Sequence, residues 1–233
     1  MKDIKNVLYL LMSFLILSCT ESTSQQTKEA ETSQSSQAVF TETKPDRPVI
    51  LFFGNSITKG YGLDPENAFS SLIQARLDSL GYHYLAINAG LSGETTASGL
   101  SRVDWVLKTV PEIFVLELGG NDGLRGIDTE ETHKNLIQII ASVREVNPDV
   151  KILLAGMEVP PSMGEDYAGA FRKIYPAIRD SEQVSLIPFI LDKVAGEPEL
   201  NLPDGIHPTE EGHRIVSNTV WKYLQPLLTP PAS

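Results

Sequence analysis

Three short segments of this chain carry side chains that could act together in acyl transfer. They contribute a serine, an amide, an acid and a histidine, namely Ser56, Asn121, Asp204 and His207. A serine hydroxyl is a weak nucleophile until a base accepts its proton. A carboxylate can hold an imidazole in the tautomer that accepts this proton, and Asp204 stands three residues before His207. Glycine turns and a side-chain amide can donate hydrogen bonds to the oxyanion that forms.

The elements that must position these residues can be predicted from the hydrophobic pattern. Short apolar runs without polar alternation are typical of strands buried on both faces of a parallel sheet. Five such runs occur, at 49–54, 84–88, 113–118, 151–156 and 185–189. Amphipathic segments that suit helices lie between and after them, at 65–80, 95–107, 129–147, 167–180 and 208–224. The alternation predicts a three-layer α/β/α sandwich with a doubly wound parallel sheet of about five strands.

The candidate residues stand where such a fold places a ligand. Ligands of doubly wound sheets bind beyond the carboxyl ends of the strands. Ser56 follows the first predicted strand and Asn121 follows the third, while Asp204 and His207 precede the last predicted helix. The loops after the strands are therefore the expected location of the site.

Four sequence blocks resemble those of the SGNH (GDSL) hydrolase superfamily. The blocks are 54–57 (GNSI), 92–95 (SGET), 119–122 (GGND) and 204–208 (DGIHP). The resemblance extends from residue 50 to about residue 227. It is strongest to the bacterial multifunctional thioesterase, arylesterase and lysophospholipase type, which residues 117–126 (ELGGNDGLRG) particularly resemble. The resemblance implies a flavodoxin-like α/β fold.

The resemblance also implies a role for each candidate residue. Ser56 would be the nucleophile, His207 the general base and later the general acid, and Asp204 the residue that orients His207. The main-chain N–H groups of Ser56 and Gly93, with the Asn121 side chain, would form the oxyanion hole. No cofactor and no metal would be needed.

Each of these residues also has a purely structural interpretation. Ser56 could cap a helix or stand in a turn, and Asp204 could be a turn residue. His207 could cap the last helix. Asn121 could tolerate a left-handed turn between glycines, and Gly93 could serve conformation alone.

Two further polar residues near the blocks are expected to play no chemical role. The first block has Asn55 where the family usually has aspartate, and asparagine can form similar hydrogen bonds without a charge. We therefore expect Asn55 to brace its loop. His213 has no acid placed to serve it as Asp204 serves His207, so it is interpreted as a helix residue near the site.

The implied function is hydrolysis of carboxylic esters or thioesters through an acyl-enzyme, with a lysophospholipid, acyl thioester or aryl ester as substrate. Two alternatives are a carbohydrate O-deacetylase of the same superfamily and a non-catalytic lipoprotein that binds lipid or glycan. The formal net charge of −11 argues against nucleic acid as a partner. No pair of His-Glu-x-x-His or Cys-x-x-Cys type supports a zinc site.

The N-terminal residues resemble a lipoprotein export signal. Residues 7–17 form an apolar run of 11, which is short for a membrane span but suits a signal peptide. The only cysteine, Cys19, follows this run as in a bacterial lipobox; the alternative is an uncleaved anchor with an incidental cysteine. We expect a signal peptide (1–18), a lipidated Cys19 with a flexible tether (19–47), a hydrolase domain (48–228) and a tail (229–233). The protein would then be lipid-anchored in the bacterial cell envelope, on the periplasmic or surface side.

Overall fold

Five apolar segments pair as parallel strands in the computed structural model, which describes residues 46–231. They are β1 (Val49–Gly54), β2 (Leu85–Gly90), β3 (Ile113–Glu117), β4 (Lys151–Ala155) and β5 (Ser185–Ile187). Their order across the sheet is β2-β1-β3-β4-β5. The predicted parallel sheet of about five strands is confirmed. The predicted signal peptide, Cys19 and residues 20–45 of the predicted tether lie outside the described residues.

Helices connect the strands throughout this part of the chain. They are α1 (Ser56–Lys59), α2 (Phe69–Ser79), α3 (Thr96–Val106), α4 (Gly120–Leu124), α5 (Thr129–Val146), α6 (Glu165–Glu182) and α7 (Glu210–Leu224). Short 3₁₀ turns occupy Pro65–Asn67, Pro161–Met163, Pro198–Leu200 and Gln225–Leu227. In residues 46–231, none of these helices is long and apolar enough to cross a membrane.

The strand order reverses beside β1. Strand β2 lies on one side of β1 and β3 on the other, so the connections from β1 and from β2 run in opposite directions. Right-handed crossovers then place helices on both faces of the sheet. Accordingly α2 packs against α7, whereas α3, α5 and α6 pack in a row. The crevice at such a reversal, beyond the strand ends, is where doubly wound folds bind ligands.

The structure corrects three details of the prediction. Strand β2 is only partly buried because it forms an edge of the sheet, whereas β1 and β3 are buried along their whole length. The segment 65–80 is a 3₁₀ turn followed by α2, because Ala68 between them has an extended main chain. The short helices α1 and α4 occupy segments that were expected to be loops. Helix α1 starts two residues after β1 ends, and α4 starts three residues after β3 ends.

Candidate active site

The turn after β1 carries Ser56 at the first position of α1. Asn55 precedes it as the N-cap, and its Oδ1 accepts a hydrogen bond from the Ile57 N–H at 2.9 Å. Asparagine is a favoured cap because its side-chain oxygen satisfies a free N–H of the first helical turn. Gly54 is required in front of this turn, since a Cβ there would overlap Thr58 Oγ1 and stand 2.6 Å from a carboxylate oxygen of Glu117. The turn is thus held from both sides of Ser56.

A second turn, before α7, joins Asp204 to His207. Asp204 Oδ1 accepts hydrogen bonds from the N–H groups of Ile206 at 2.8 Å and of His207 at 3.0 Å. Its Oδ2 lies 2.8 Å from Nδ1 of His207. The turn is closed by the Leu202 N–H, which donates to the carbonyl of His207 at 2.7 Å.

These hydrogen bonds lower the pKa of Asp204 to about 2, the bond from the His207 main-chain N–H contributing most and the bond from its imidazole next. Asp204 is therefore ionised at neutral pH and can only accept. In the neutral imidazole, Nδ1 of His207 must then carry the ring proton, which leaves Nε2 as an acceptor.

The two turns meet at Ser56 and His207, although 151 positions separate the two residues in sequence. Ser56 Oγ lies 2.9 Å from His207 Nε2. With Nε2 unprotonated, the serine hydroxyl donates this hydrogen bond. The ring of Tyr61 lies against the imidazole, with centroids 4.4 Å apart, and covers one face of it. Ser56, His207 and Asp204 thus form one continuous hydrogen-bonded chain.

The residues expected to bind an oxyanion also have N–H groups that are available as donors. Within residues 46–231 the main-chain N–H groups of Ser56 and Gly93 have no acceptor. Gly93 has a φ of +81°, which an L side chain rarely adopts. The Asn121 amide nitrogen donates to the Glu94 carbonyl at 2.9 Å, and this bond uses one of its two hydrogens.

A partly buried ion pair supports the loop of the second block. Glu94 is buried and accepts hydrogen bonds from Nε and Nη2 of Arg102, both at 2.6 Å. Arg102 also donates to the carbonyl of Ala89 at the end of β2, and its guanidinium lies over the Phe53 ring. Such a bidentate pair fixes geometry as well as charge. The loop that presents Gly93 is therefore tied to the sheet.

Sequence reasoning assigned no role to Glu117, the last residue of β3. Its side chain is fully buried beneath the Ser56 turn. Burial raises its pKa to about 7, although hydrogen bonds from Thr58 and Asn55 lower it. The signal in the sequence is an acid that ends an otherwise apolar strand. That signal could have drawn attention, because carboxylates are almost never fully buried unless they are partnered.

His213 lies on α7 close to the site but points into the core. Its Nδ1 accepts a hydrogen bond from the Phe69 N–H at 3.1 Å, which caps the start of α2. Burial, and to a lesser extent the charge of His207, lowers the pKa of His213 to about 4. His213 is therefore neutral at ordinary pH and serves as a hydrogen-bond acceptor between α7 and α2.

Comparison with known proteins places this constellation in a family. Residues 52–215 match the sequence model of the GDSL-like Lipase/Acylhydrolase family. The chain belongs to this family. The family resemblance predicted from the sequence blocks is thereby confirmed, and the protein is a hydrolase that acts on ester bonds of small molecules.

Curated relatives match over most of their own length. Esterase TesA of Pseudomonas aeruginosa is 38% identical over 180 residues, which are 77% of this chain and 89% of the relative. Arylesterase of Vibrio mimicus is 34% identical over 73% of this chain and 85% of its own length. Thioesterase 1/protease 1/lysophospholipase L1 of Escherichia coli is 34% identical over 77% and 84%. A crystal structure of TesA superposes with a TM-score of 0.74 over 77% of this chain and 99% of that chain, at 38% identity.

Proposed function

We propose that this family member hydrolyses lysophospholipids, acyl thioesters or aryl esters through an acyl-enzyme formed on Ser56. The observation that carries the proposal is the hydrogen-bonded chain in which Ser56 Oγ lies 2.9 Å from His207 Nε2 and His207 Nδ1 lies 2.8 Å from Asp204 Oδ2. In this series of hydrogen bonds, His207 already accepts from the Ser56 hydroxyl, and the ionised Asp204 fixes the tautomer of His207.

In the first half of the reaction, Ser56 Oγ attacks the acyl carbon while its proton passes to His207 Nε2. Asp204 stabilises the imidazolium that forms. When the tetrahedral intermediate collapses, His207 returns the proton to the leaving alkoxide or thiolate. In the second half, His207 takes a proton from water, whose oxygen attacks the acyl-enzyme; His207 then protonates Ser56 as the acid leaves.

The negative charge of each tetrahedral intermediate requires fixed donors. We assign this role to the N–H groups of Ser56 and Gly93 and to the second hydrogen of the Asn121 amide. The absence of an acceptor for both main-chain groups within residues 46–231 supports the assignment. Donors that are already oriented need no reorganisation when the charge develops.

An apolar rim supports substrates with acyl or aryl groups. We use this name for Tyr61, Leu91, Leu124 and Ile206, whose exposed fractions lie between 41% and 50%. Each stands on or next to one of the loops that carry the candidate catalytic residues. Exposed apolar side chains on the loops of a site favour an apolar ligand. The rim therefore favours the ester and thioester substrates over the carbohydrate O-deacetylase alternative.

A fluorophosphonate probe tests the assignment of the nucleophile. We expect stoichiometric labelling at Ser56, loss of labelling in Ser56→Ala, and unchanged labelling in Ser79→Ala. Ser79 is a matched control because its hydroxyl is exposed and, within residues 46–231, bonds only to the Arg76 carbonyl at the end of α2. A label on another residue would refute the role of Ser56. Rates on p-nitrophenyl acetate, a long-chain p-nitrophenyl ester, a lysophospholipid and an acyl thioester would then rank the substrates.

The envelope location and the domain limits 48–228 are proposals of the same kind. The family relationship supports an envelope location, and the sequence of residues 1–19 supports a lipid anchor on Cys19 that faces the periplasm or the cell surface. One acyl chain gives only marginal membrane binding, so we expect several chains on this residue. Mass spectrometry of the mature N-terminus decides the matter: an unmodified, uncleaved N-terminus would refute the anchor.

A further inference from the structure

The four hydrogen bonds accepted by Glu117 all come from the residues on either side of Ser56. Its Oε2 accepts from the Asn55 N–H at 3.2 Å, the Thr58 N–H at 3.2 Å and the Thr58 hydroxyl at 2.8 Å. Its Oε1 accepts from the Asn55 amide nitrogen at 2.8 Å. Asn55 is the N-cap of α1 and Thr58 is its third residue. One buried carboxylate therefore fixes both ends of the turn that presents the proposed nucleophile.

The pattern of donors matches the ionised form of Glu117. Of the three donors at Oε2, the Thr58 hydroxyl alone could accept a proton from Glu117, and its own hydrogen would then lose its acceptor. A proton on Oε1 would face the NH₂ group of Asn55. Rotation of the Asn55 amide would offer an oxygen to Oε1, but this oxygen would then leave the Ile57 N–H that it caps at 2.9 Å. Protonation of Glu117 therefore leaves a donor of the turn around Ser56 without its acceptor.

Among the described residues, Glu117 forms no ion pair with a Lys, Arg or His side chain. The partners of Glu117 on β1 and α1 are neutral groups of Asn55 and Thr58. The titratable groups on neighbouring elements are Tyr175 of α6, which donates to the Leu118 carbonyl at 3.0 Å, and Asp122 of α4. Neither is a cation. Burial without a counter-charge favours the neutral carboxyl, so hydrogen bonds and desolvation oppose each other at this site.

We propose that Glu117 is the positioning residue of the nucleophile turn, and that its negative charge must be present for Ser56 to react. This inference rests on the proposed role of Ser56. Two ionisations then control activity on the acid side: His207 must lose its proton to act as a base, and Glu117 must lose its proton to hold the turn. Because the pKa of Glu117 is about 7, its ionisation falls in the range where activity is measured.

The test is the pH dependence of kcat/KM for a soluble ester such as p-nitrophenyl acetate, measured with the full chain. Two required deprotonations give log(kcat/KM) a slope that approaches two below both pKa values, and one gives a slope of one. We expect a slope of two for the wild type and one for Glu117→Gln. We also expect Glu117→Gln to lower kcat by about 10²-fold with KM within twofold, since small displacements of reacting groups cost this much.

Glu112→Gln is the matched control. Glu112 immediately precedes β3 at its opposite end, and its carboxylate accepts from the Tyr84 hydroxyl at 2.7 Å and the Lys151 ammonium at 3.4 Å. The substitution also removes one carboxylate charge but does not touch the Ser56 turn. We expect the wild-type slope and a kcat within twofold of the wild type.

Thr58→Val provides an independent test if Glu117→Gln does not fold. It keeps the carboxylate and removes the hydroxyl that lowers the pKa of Glu117 the most. The acid limb of the profile should therefore move to higher pH. An unmoved acid limb in Thr58→Val, a kcat of Glu117→Gln within twofold of the wild type, or an unchanged slope in Glu117→Gln would each overturn the proposal.

The fluorophosphonate probe separates this proposal from the proposed function. If the wild type is labelled at Ser56 and Glu117→Gln is labelled at the same rate, only the role of Glu117 fails. If the wild type is not labelled at Ser56, the role of Ser56 itself fails.

Discussion

The turn that carries Asp204 and the pocket that holds Glu117 place the same functional group in opposite environments. Asp204 is exposed, and its hydrogen bonds come from Ile206 and His207 in the same turn. Glu117 is fully buried, and its donors belong to residues 59 and 62 positions away in sequence. The pKa of Asp204 falls to about 2, whereas that of Glu117 rises to about 7.

Under the proposed roles, the difference gives two ways in which a carboxylate can serve one reaction. Asp204 keeps its charge over the whole physiological range because local N–H groups and water stabilise it. Glu117 holds a charge that burial disfavours, so its ionisation depends on how well Asn55 and Thr58 are placed. The exposed acid is therefore expected to act at every working pH, and the buried acid only above its own pKa.

Loss of the exposed acid should have the largest effect. Asp204→Asn removes the acceptor that fixes the tautomer of His207, and we expect kcat to fall about 10⁴-fold. Because Asp204 is exposed, the melting temperature should stay within a few degrees of the wild type. Steady-state kinetics and thermal unfolding monitored by circular dichroism measure both quantities.

Asp180→Asn is the control for the exposed carboxylate. Asp180 lies on the surface of α6, and its carboxylate pairs with Arg179 at 2.8 Å and with no other cation in residues 46–231. Its kcat should not change. A kcat of Asp204→Asn within tenfold of the wild type would mean that His207 does not depend on this acid.

Substitution of Asn55 should have an intermediate effect that depends on the new side chain. In Asn55→Asp the new carboxylate faces Oε1 of Glu117, and one proton shared between them preserves both the contact and a single negative charge. We expect kcat/KM within about tenfold of the wild type, or about 1.4 kcal/mol in transition-state free energy. Asn55→Leu removes the cap of α1 and one donor to Glu117, so its kcat/KM should fall about 10²-fold.

Kinetics of the two Asn55 variants on one soluble ester, across pH, measure this difference. The test is whether Asn55→Asp retains a higher kcat/KM than Asn55→Leu. If Asn55→Asp lost as much activity as Ser56→Ala, the neutral amide itself would be essential and the shared proton would be ruled out.

The smallest effect concerns stability and has opposite signs for the two acids. The pKa of Glu117 is raised from 4.5 to about 7 in the folded protein. Its contribution to the free energy of unfolding is therefore complete below pH 4.5 and is lost as the pH rises through 7. The pKa of Asp204 is lowered from 3.8 to about 2, so its contribution is present above pH 3.8 and is lost as the pH falls through 2.

Urea unfolding of the wild type and Glu117→Gln between pH 4.5 and 7 tests this sign. The free energy of unfolding of the wild type, relative to that of the variant, should fall as the pH rises. His213 has the opposite dependence. Its pKa is lowered from 6.5 to about 4 in the folded protein, so its contribution to the free energy of unfolding is present above pH 6.5 and is lost as the pH falls through 4. His213 is present in both the wild type and Glu117→Gln, so its contribution cancels in the difference between their free energies of unfolding. A difference that stays constant with pH would contradict the raised pKa of Glu117.

Much of the fold could be predicted because its signals are local. The run Val49–Gly54 forms β1 with the predicted limits, and helix α5 ends within one residue of the prediction. Long apolar or amphipathic segments bury the same residues in almost any arrangement of a parallel sheet. Helix α1 has only four residues, which is too short for a periodic pattern. Its start depends on the Asn55 cap and on Glu117.

The sequence by itself determined the strands, the main helices and the four blocks that point to an ester hydrolase, because residue type and spacing along the chain carry those signals. Only the tertiary structure decided that Ser56 Oγ and His207 Nε2 lie 2.9 Å apart and that Glu117 lies beneath the nucleophile turn. It also decided that His213 caps α2 from 144 positions away. The physical reason is that burial and hydrogen bonding depend on which elements meet in space, and the pKa of a carboxylate or imidazole follows from those contacts and not from its neighbours in sequence.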